Sequence, residues 1–595
     1  MTEVSLDDSQ RATVQIDPEE RQIVIAGPGS GKTEVVSALI EHLTEEEGVD
    51  HLDGLLVISF SNAAVHAAEG RLRDHGAAPV SVQTLDSLAS ALLRDLATED
   101  HTDLDFDGRV VEATRLLEID GWDRIGDLQH LIVDEVQDVV GVRADFLLAI
   151  IAAIPADAGF SLLGDPAQGI YDFQLGPPGS DRAPASTTTS AQLLESVTEA
   201  HAPALRQLTG QYRAASRDAR TAMRLRDAAL PDGEATEMED FFADLVHLGR
   251  IEEAVDLLRG WSGTTALLTS TNGQALATAG VLRRLGMVVE IRRSAHHQVA
   301  AGWIAATLGD STTDSVGKAG FEKLISERHP DIDAADAWRA LRSLTGARGT
   351  EITVSSIANR LRAGRSLLPD LTQRPSVDVV VSTVHRSKGL EFDNVVVLDF
   401  PSRGRIAADS DVDGARRTQF VALSRARSYL VRADGPDDRD LRLATNPATQ
   451  RARWIVGGHK TWMTFGIEIG VGDIEPVFDD PAPSQAHIEA EVVAGADLDL
   501  RIDVEASTLE FPVYAVIHNG MTIARTSRTF GEDLASRIGT LERRRGTWPA
   551  LYGAEVEAIA TSASDSRSDS SWRHGLYLAP IVTGLLTLDW NGSTE

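Results

Sequence analysis

The sequence predicts an α/β protein with two parallel β-sheets, followed by a small β-rich region near the C-terminus. Three observations predict this class. Apolar strands alternate with helical stretches after Ile23, and the same alternation starts again at Thr265. Beyond about residue 487 the hydrophobic period becomes that of strands, with Leu498, Leu500 and Ile502 alternating with polar residues. In such α/β sheets, ligands bind at the carboxyl ends of the parallel strands.

Composition limits the possible functions. The chain has 595 residues, of which 42% are hydrophobic, so it is long enough for several domains. It has no cysteine, which excludes disulfides and Cys-ligated zinc or iron-sulfur sites and leaves an oxygen-bound ion such as Mg²⁺. The net charge of −34 argues against polyanion binding over the whole surface, although a local positive groove is compatible with it. The acidic start and the lack of long apolar runs predict a soluble, cytoplasmic protein without a membrane partner.

The chain is organised around the stretch from Ile23 to Thr33, where an apolar strand breaks into glycines and ends in Lys-Thr. The glycines let backbone amides converge on a phosphate, and the helix that follows adds its positive end. Lys32 would reach the β and γ phosphates of a nucleotide, and Thr33 would offer its hydroxyl to Mg²⁺. Because Ala26 stands where the usual pattern has glycine, an ordinary glycine-rich turn is the alternative. The remaining residues predicted to hold the phosphates are Gly27, Gly29, Ser30 and Gly31.

Two acids directly follow another apolar strand. Leu131 to Val133 runs into Asp134 and Glu135. Asp134 would hold Mg²⁺, directly or through water, and Glu135 would orient or deprotonate the attacking water. A solvated acidic turn is the ordinary interpretation of such a pair in isolation, but the phosphate loop upstream favours catalysis.

Further candidates lie near other strand ends. Gln10, upstream of the loop, would hydrogen-bond a purine base, and Gln168 would sense the γ-phosphate. The rings of Phe60, Tyr171 and Phe173 would stack on nucleic-acid bases. On the pattern alone, each of these rings is equally compatible with a place in the hydrophobic core.

Composition and periodicity also predict the domain organisation. A stretch rich in Pro and Asp is predicted as a linker, and the change of period after it predicts a β-rich domain with its own core. The predicted boundaries are 1–205 for the first α/β domain with a short insertion at about 89–126, 206–472 for the second with a helical insertion at about 299–375, 473–486 for the linker, and 487–595 for the β-rich domain.

Taken in order, these motifs resemble the superfamily 1 helicases of the UvrD/Rep/PcrA type, from about Leu6 to Leu430. Several motif matches that follow the family's order are far more specific than any single motif. The resemblance implies two RecA-like P-loop NTPase domains. The stretches that match a family motif are Gln10, Ala26 to Thr33, Phe60-Ser61-Asn62, Asp134 to Asp138, Gly164 to Phe173, Gln211-Tyr212-Arg213, His385 to Phe392 and Val421 to Arg427.

The resemblance implies roles that the pattern alone does not assign. Arg213 and Arg425 would be arginine fingers that enter from the second sheet, so that the nucleotide lies between two domains. By pattern alone, arginines on a helix such as the one before Arg425 are typical of a solvated face. Tyr212 would stack on the adenine, and Glu391 would bind the ribose. The residues implied to line the path of single-stranded DNA are Phe60, Asn62, Tyr171, Phe173 and His385.

The function implied by the resemblance is an ATP-dependent translocase or helicase on single-stranded DNA. It would use ATP and Mg²⁺, move in the 3′ to 5′ direction, and serve DNA repair, recombination or defence. Both insertions are shorter than in larger relatives, which favours translocation over processive unwinding. The alternative is an ATP-gated DNA-binding switch subunit of a larger complex, for example with a separate nuclease, that does not itself unwind.

The resemblance also bears on the β-rich C-terminal domain. Some relatives end in a Tudor-like barrel that binds proteins, so we expect a protein partner at this domain. A cap that stabilises the rest of the chain is the alternative.

Overall fold

A computed structural model gives the fold over most of the chain. Its contacts divide the chain into two units, and each is described by itself. The described residues are 6–59, 80, 82–97, 104–175, 185–292, 299–347, 349–364, 367–373, 379–400, 412–458, 463–538, 548–565 and 572–590. The first unit comprises Met1–Leu245, Ser387–Asp393 and Arg405–Leu430, and the second comprises Val246–Arg386, Asn394–Gly404 and Val431–Glu595.

The first unit contains a parallel sheet that is six-stranded within the described residues. The strands are β1 (Arg21–Ala26), β2 (Leu55–Ser59), β3 (Val82–Gln83), β4 (His130–Asp134), β5 (Gly159–Gly164) and β6 (Ala204–Leu208). Their order is β3-β2-β4-β5-β1-β6, and every pairing is parallel. The predicted α/β class is therefore confirmed for this part of the chain.

Helices pack on both faces of this sheet because its strands are apolar on both faces. Ile23 and Leu131 face one core, and the next residues along their strands, Val24 and Ile132, face the other. The α-helices of this unit are Asp8–Val14, Lys32–Glu41, Leu85–Leu96, Phe106–Asp120, Asp123–Gly126, Val142–Ala153, Ser190–His201, Arg217–Arg224, Ala235–Asp244 and Val412–Leu423. Three of them fall in the predicted insertion at about 89–126 and join the same core.

The second unit contains most of a second parallel sheet, a large antiparallel sheet and a small two-stranded sheet. Its strands are β7 (His247–Arg250), β8 (Thr265–Thr269), β9 (Glu290–Ile291), β10 (Ala300–Ala301), β11 (Ser315–Gly317), β12 (Glu351–Thr353), β13 (Val379–Thr383), β14 (Phe392–Asp399), β15 (Ala426–Asp434), β16 (Leu441–Thr445), β17 (Ala452–Gly457), β18 (Thr464–Ile469), β19 (Ile474–Pro476), β20 (Asp497–Ile502), β21 (Tyr514–His518), β22 (Met521–Thr526), β23 (Ala550–Ala563), β24 (Leu576–Val582) and β25 (Gly584–Asp589). The α/β sheet has the order β7-β15-β14-β8-β13-β9, as the second predicted α/β domain requires.

Helices of the second unit pack on both of its large sheets. They are Val255–Arg259, Asn272–Arg284, Gly302–Leu308, Lys318–Arg328, Ala334–Thr345, Val354–Arg362, Val384–Ser387, Pro481–Glu491 and Arg528–Ala535. Four of them form the predicted helical insertion at about 299–375.

The β-rich region is larger than the sequence predicts. Its sheet follows the order β16-β17-β18-β25-β23-β20-β21-β22-β19, and β10 and β24 also pair with β23. The predicted linker at 473–486 therefore holds a strand and the start of a helix, and the sheet begins near residue 441 rather than at 487. The physical reason is a shared core, in which Phe321 and Leu341 of the helical insertion pack in one cluster with Ile467, Val516 and Leu586 of the sheet.

A group of buried ion pairs spans the predicted linker. Arg453 on β17 lies 2.6 Å from an Asp473 carboxylate oxygen and 2.7 Å from one of Asp533. The two acids are only 4% and 3% exposed, so their charges depend on the arginine. This group holds β17 to the helix Arg528–Ala535.

We expect Asp533→Ala to lower the free energy of unfolding of the second unit by about 3 kcal/mol, because it leaves the buried guanidinium of Arg453 short of one partner. Urea unfolding followed by circular dichroism measures the change. Asp499→Ala is the matched control, since its pair with Arg501 joins side chains that are 70% and 72% exposed. The control should change stability by less than about 0.5 kcal/mol. Equal effects of the two variants would contradict the buried role of Asp533.

His130 lies beneath the catalytic candidates, at the start of β4, and is fully buried. Its Nδ1 lies 2.7 Å from the Pro18 carbonyl oxygen, which can only accept, so Nδ1 carries the proton. Its Nε2 then accepts from the Ser161 hydroxyl at 2.9 Å. Burial lowers the pKa of His130 from 6.5 to about 4, so the ring stays neutral in the folded chain.

The lowered pKa of His130 predicts a pH dependence of stability. Between pH 6.5 and 4 the unfolded histidine takes up a proton that the folded one does not, so stability falls with falling pH. The loss attributable to His130 approaches about 3 kcal/mol at pH 4. Comparing unfolding free energies of the native chain and His130→Gln across this range measures it, because the variant should lose this part of the slope. Two curves of the same slope would refute the assignment.

Candidate active site

The phosphate loop, Gly27 to Gly31, connects β1 with the helix Lys32–Glu41. Gly29 and Gly31 have φ angles of 76° and 78°, in the left-handed region that favours glycine. A Cβ atom on Gly29 would lie 2.4 Å from Gln211 Oε1, and one on Gly31 would lie 2.6 Å from Gln10 Nε2. The left-handed backbone therefore favours glycine at both positions, and the amide ends of Gln211 and Gln10 lie close to the loop.

Lys32 meets the two predicted acids. Its Nζ lies 2.9 Å from Asp134 Oδ1 and also pairs with Glu135 Oε1. Burial alone would lower the pKa of Lys32, but the two carboxylates raise it above its ordinary value. Burial would raise the pKa of Glu135, yet Lys32 and Lys388 bring it down to about 2. Burial raises the pKa of Asp134, against the attraction of Lys32. The structure thus brings together three residues that the sequence placed in the site.

Gln137 fixes the position of Glu135. The Glu135 backbone has a φ of 58°, and its carboxylate accepts a hydrogen bond from Gln137 Nε2. Gln137 Oε1 in turn accepts from the backbone N–H of Asp165 at 3.0 Å. Sequence analysis did not assign a role to Gln137, although it lies within the matched stretch from Asp134 to Asp138.

Gln168 connects an acid with an arginine. Its Nε2 donates to Asp165 Oδ2 at 3.0 Å, and its Oε1 accepts from Arg425 Nη2 at 2.9 Å. Arg425 is only 1% exposed and also donates from Nε to the Val421 carbonyl at 3.0 Å. Burial, assisted by the neighbouring Arg213, lowers the pKa of Arg425 to about 9. A buried guanidinium of this kind is well suited to an anionic group.

The second predicted arginine pairs with the predicted ribose ligand. Arg213 Nη2 lies 2.6 Å from Glu391 Oε1, and Arg427 Nη2 lies 2.8 Å from Glu391 Oε2. Arg213 Nη1 also donates to the carbonyl oxygen of Ser424 at 3.2 Å. Arg425 directly precedes β15, a strand of the second α/β sheet. The role of Arg213 and Arg425 as arginine fingers stays a prediction.

Gln10 and Tyr212 both contact the phosphate loop. Gln10 Nε2 donates to the Ser30 carbonyl at 3.0 Å, and the backbone N–H of Tyr212 donates to the Gly29 carbonyl at 2.8 Å. Gln10 is buried, whereas the side chain of Tyr212 is 61% exposed and so is open to a ligand.

The oxygen donors of the site fit Mg²⁺. Thr33 follows Lys32 in the first turn of its helix, and Asp134 ends β4, so a hydroxyl and a carboxylate are provided near the loop. Ser30 Oγ is buried without a hydrogen-bond partner among the described residues, as expected of a group that serves a bound phosphate. The roles of these residues stay predictions.

The structure describes only some of the residues that are predicted to contact nucleic acid. Tyr171 is half-buried, with Lys388 Nζ 5.4 Å from its ring centroid. Phe173 lies in the short helix Asp172–Leu175, and its side chain is outside the described part of the chain. His385 is half-buried on the helix Val384–Ser387. The remaining two candidates, Phe60 and Asn62, lie outside the described residues.

Sequence analysis assigned no role to Lys388, although it lies in the matched stretch from His385 to Phe392, and it did not single out Arg226. Lys388 pairs with the buried Asp138 and donates to the backbone carbonyl of Gln168. Burial raises the pKa of Asp138 to about 7 against the attraction of Lys388. Arg226 Nε lies 2.8 Å from Asp165 Oδ1. The rarity of lysine was a usable signal for Lys388, but Arg226 lies in no matched motif and gave none.

A glycine-rich loop that opens a helix, with its lysine against two acids at the end of a parallel strand, defines a P-loop NTPase. Comparison with known families makes the class more specific. Residues 10–174 match the model of an AAA domain, and residues 354–432 match the model of the UvrD-like helicase C-terminal domain. The chain thus contains a stretch similar to an AAA domain and a stretch similar to the UvrD-like helicase C-terminal domain, which together indicate an ATP-dependent enzyme that acts on nucleic acid.

Comparison with solved structures gave weak matches. The Pif1 helicase of Candida albicans is 15% identical with a TM-score of 0.34, over 72% of this chain and 95% of that chain. A variant of Dbp5 from S. cerevisiae is 12% identical with a TM-score of 0.33, over 73% of this chain and 85% of that one. The sequence matches none of the curated proteins. Within the described residues, no helix has the length and apolar character needed to cross a membrane.

We expect Glu135→Gln to bind ATP but to hydrolyse it at least about 100-fold more slowly, because the amide keeps the shape of the side chain and loses the charge that orients water. Steady-state ATPase and fluorescent-nucleotide binding measure the two effects. Glu195→Gln, at an exposed position on the helix Ser190–His201, is the matched control. If Glu135→Gln lost ATP binding as completely as hydrolysis, the assigned roles of Asp134 and Glu135 would be wrong.

Proposed function

We propose that this protein is a motor that translocates along single-stranded DNA in the 3′ to 5′ direction, driven by ATP hydrolysis. The observation that carries the proposal is the continuous polar network from Lys32 and Glu135 through Gln168 to Arg425. It supplies a cation for the nucleotide phosphates, an ionised acid for the water and a buried guanidinium for the charge that develops during hydrolysis.

Each group has a distinct part in this proposal. Lys32 holds the β and γ phosphates, and Thr33 and Asp134 hold Mg²⁺, which supplies charge neutralisation when bound. Glu135 orients the attacking water, and its pKa of about 2 keeps it ionised at neutral pH. Arg213 and Arg425 stabilise the transition state. Gln168 senses the γ-phosphate, because it links the acid Asp165 to Arg425.

The nucleic-acid side of the proposal rests on Tyr171 and on the residues that the resemblance names. Tyr171 is supported by its contact with Lys388, whose ammonium group also pairs with Asp138, three residues after Glu135. Stacking on such rings is tolerant of base sequence, as a translocase requires. The other proposed DNA contacts are Phe60, Asn62, Phe173 and His385.

The biological setting is proposed from the resemblance alone. In this proposal the protein acts in DNA repair, recombination or defence in the cytoplasm. A protein partner binds its β-rich region. DNA rather than RNA is the proposed substrate.

Single-stranded DNA should stimulate the ATPase, and Phe173→Ala should raise the DNA concentration needed for half-maximal stimulation without a comparable change in the unstimulated rate. Stacking contributes about 1 to 3 kcal/mol per base, so the shift should reach roughly fivefold or more. Tyr552→Ala, which removes a half-exposed ring on β23, is the control. An unchanged DNA requirement in Phe173→Ala would exclude this residue from the DNA path.

Directional movement is tested separately, by displacement of streptavidin from biotinylated single strands. A 3′ to 5′ motor displaces it from the 5′ end and not from the 3′ end. ATP-dependent binding without displacement from either end would instead favour the switch-subunit alternative.

A further inference from the structure

Ser59 is the last residue of β2, at the carboxyl edge of the first parallel sheet. It is only 2% exposed, and its Oγ has no hydrogen-bond partner among the described residues. Most buried hydroxyl groups are paired, because an unpaired one costs free energy. An alanine would serve equally well if packing alone mattered at the end of this apolar strand, so the hydroxyl indicates a function.

The register of the sheet places Ser59 beside Asp134. The two residues are direct partners on the neighbouring parallel strands β2 and β4, and such partners lie about 5 Å apart. Val57 and Ile132 precede them by two residues and lie in the core that includes the helix Lys32–Glu41. Because side chains two positions apart on a strand share a face, Ser59 and Asp134 both lie on the face of the sheet that carries this helix.

Two contacts hold the Asp134 carboxylate in the structure, and both reach Oδ1. Lys32 Nζ lies 2.9 Å from this oxygen, and the backbone N–H of Glu135 donates to it at 2.9 Å. In the proposed function Lys32 binds the nucleotide phosphates, so the acid needs another partner. Carboxylates that bind a metal ion usually accept a hydrogen bond as well, which fixes their orientation. The Ser59 hydroxyl is the adjacent donor with no other bond to make.

We propose that Ser59 is a positioning residue of the magnesium site, whose hydroxyl donates to the Asp134 carboxylate when Lys32 binds the nucleotide phosphates. The inference rests on the proposed function, in which Asp134 holds Mg²⁺ and Lys32 holds the phosphates. The hydroxyl replaces the lysine as the partner of the acid and keeps the carboxylate in one orientation. Because a hydroxyl is neutral, it orients the acid without opposing the attraction between the carboxylate and the metal ion.

Four variants of the full-length chain test this role. Ser59→Ala removes the hydroxyl with little change in volume, and Ser59→Thr keeps it on a β-branched side chain that suits a strand. Asp134→Asn removes the charge through which Ser59 is proposed to act. Thr307→Val is the matched control, because Thr307 is also 2% exposed and its hydroxyl also has no partner among the described residues, on the helix Gly302–Leu308 of the second unit.

The measurement is the affinity for a fluorescent ATP analogue with Mg²⁺ and with EDTA, which gives the gain in affinity due to the metal. Ser59→Ala should reduce this gain about tenfold and leave the affinity in EDTA unchanged. Ser59→Thr and Thr307→Val should keep the native gain. Adding Ser59→Ala to Asp134→Asn should cause no further loss. The thermal unfolding midpoint of Ser59→Ala in EDTA should equal or exceed the native one, because no hydrogen bond is lost.

The outcomes also separate this inference from the proposed function. A Ser59→Ala variant with the native gain overturns the inference, and so do additive losses in the double variant with Asp134→Asn. A lower unfolding midpoint of Ser59→Ala in EDTA would show a purely structural hydroxyl. A raised DNA requirement with the native gain would instead group Ser59 with its neighbour Phe60, and either result overturns the inference. A native chain that hydrolyses no ATP, with or without single-stranded DNA, overturns the proposed function itself.

Discussion

The ion group of Lys32, Asp134 and Glu135 is the interaction on which the rest of the first unit depends. The side chains of Lys32, Asp134 and Glu135 are only 14%, 14% and 25% exposed, and a charge so far removed from water would be unfavourable without a partner. The lysine follows β1, the acids lie at the carboxyl end of β4, and β5 lies between these two strands in the sheet. The carboxyl ends of the parallel strands must therefore align for the charges to meet. The requirement that these three charges meet therefore fixes the positions of the loop, the two acids and the strands.

The polar groups around this ion group form a continuous chain of hydrogen bonds. Glu135 accepts from Gln137, Gln137 bonds to the backbone of Asp165, and Asp165 accepts from Gln168, which in turn accepts from Arg425. Arg226 neutralises Asp165 from the other side. Inside a protein such chains are rigid because each member would be costly to leave unpaired. A change of charge beside Glu135 would therefore also act on Arg425, as the proposed hydrolysis-driven motor requires.

The second unit shows a different constraint, because two stretches distant in sequence share one hydrophobic core. The helical insertion and the β-rich sheet bury Phe321, Leu341 and Val516 in the same cluster. The sheet is also tied to the helix Asn272–Arg284, where Arg283 Nη2 lies 3.3 Å from Glu557 Oε2 and both side chains are less than 10% exposed. Movement of the insertion without the sheet would expose this core. The C-terminal residues are therefore part of the structural body of the second unit rather than an appended module.

The sequence by itself determined the α/β class, the phosphate loop and the acids of Asp134 and Glu135, because each is written in a short stretch. An apolar strand followed by glycines or acids specifies its local structure and its chemistry together. Only the tertiary structure decided that Arg226 pairs with Asp165, that Lys388 pairs with Asp138, and that residues 473–486 belong to the β-rich sheet. Periodicity reports the type of an element and the face that it buries, but it does not report which distant element covers that face. Ion pairs between residues far apart in the chain leave no local signal, so they become visible only when the chain is folded.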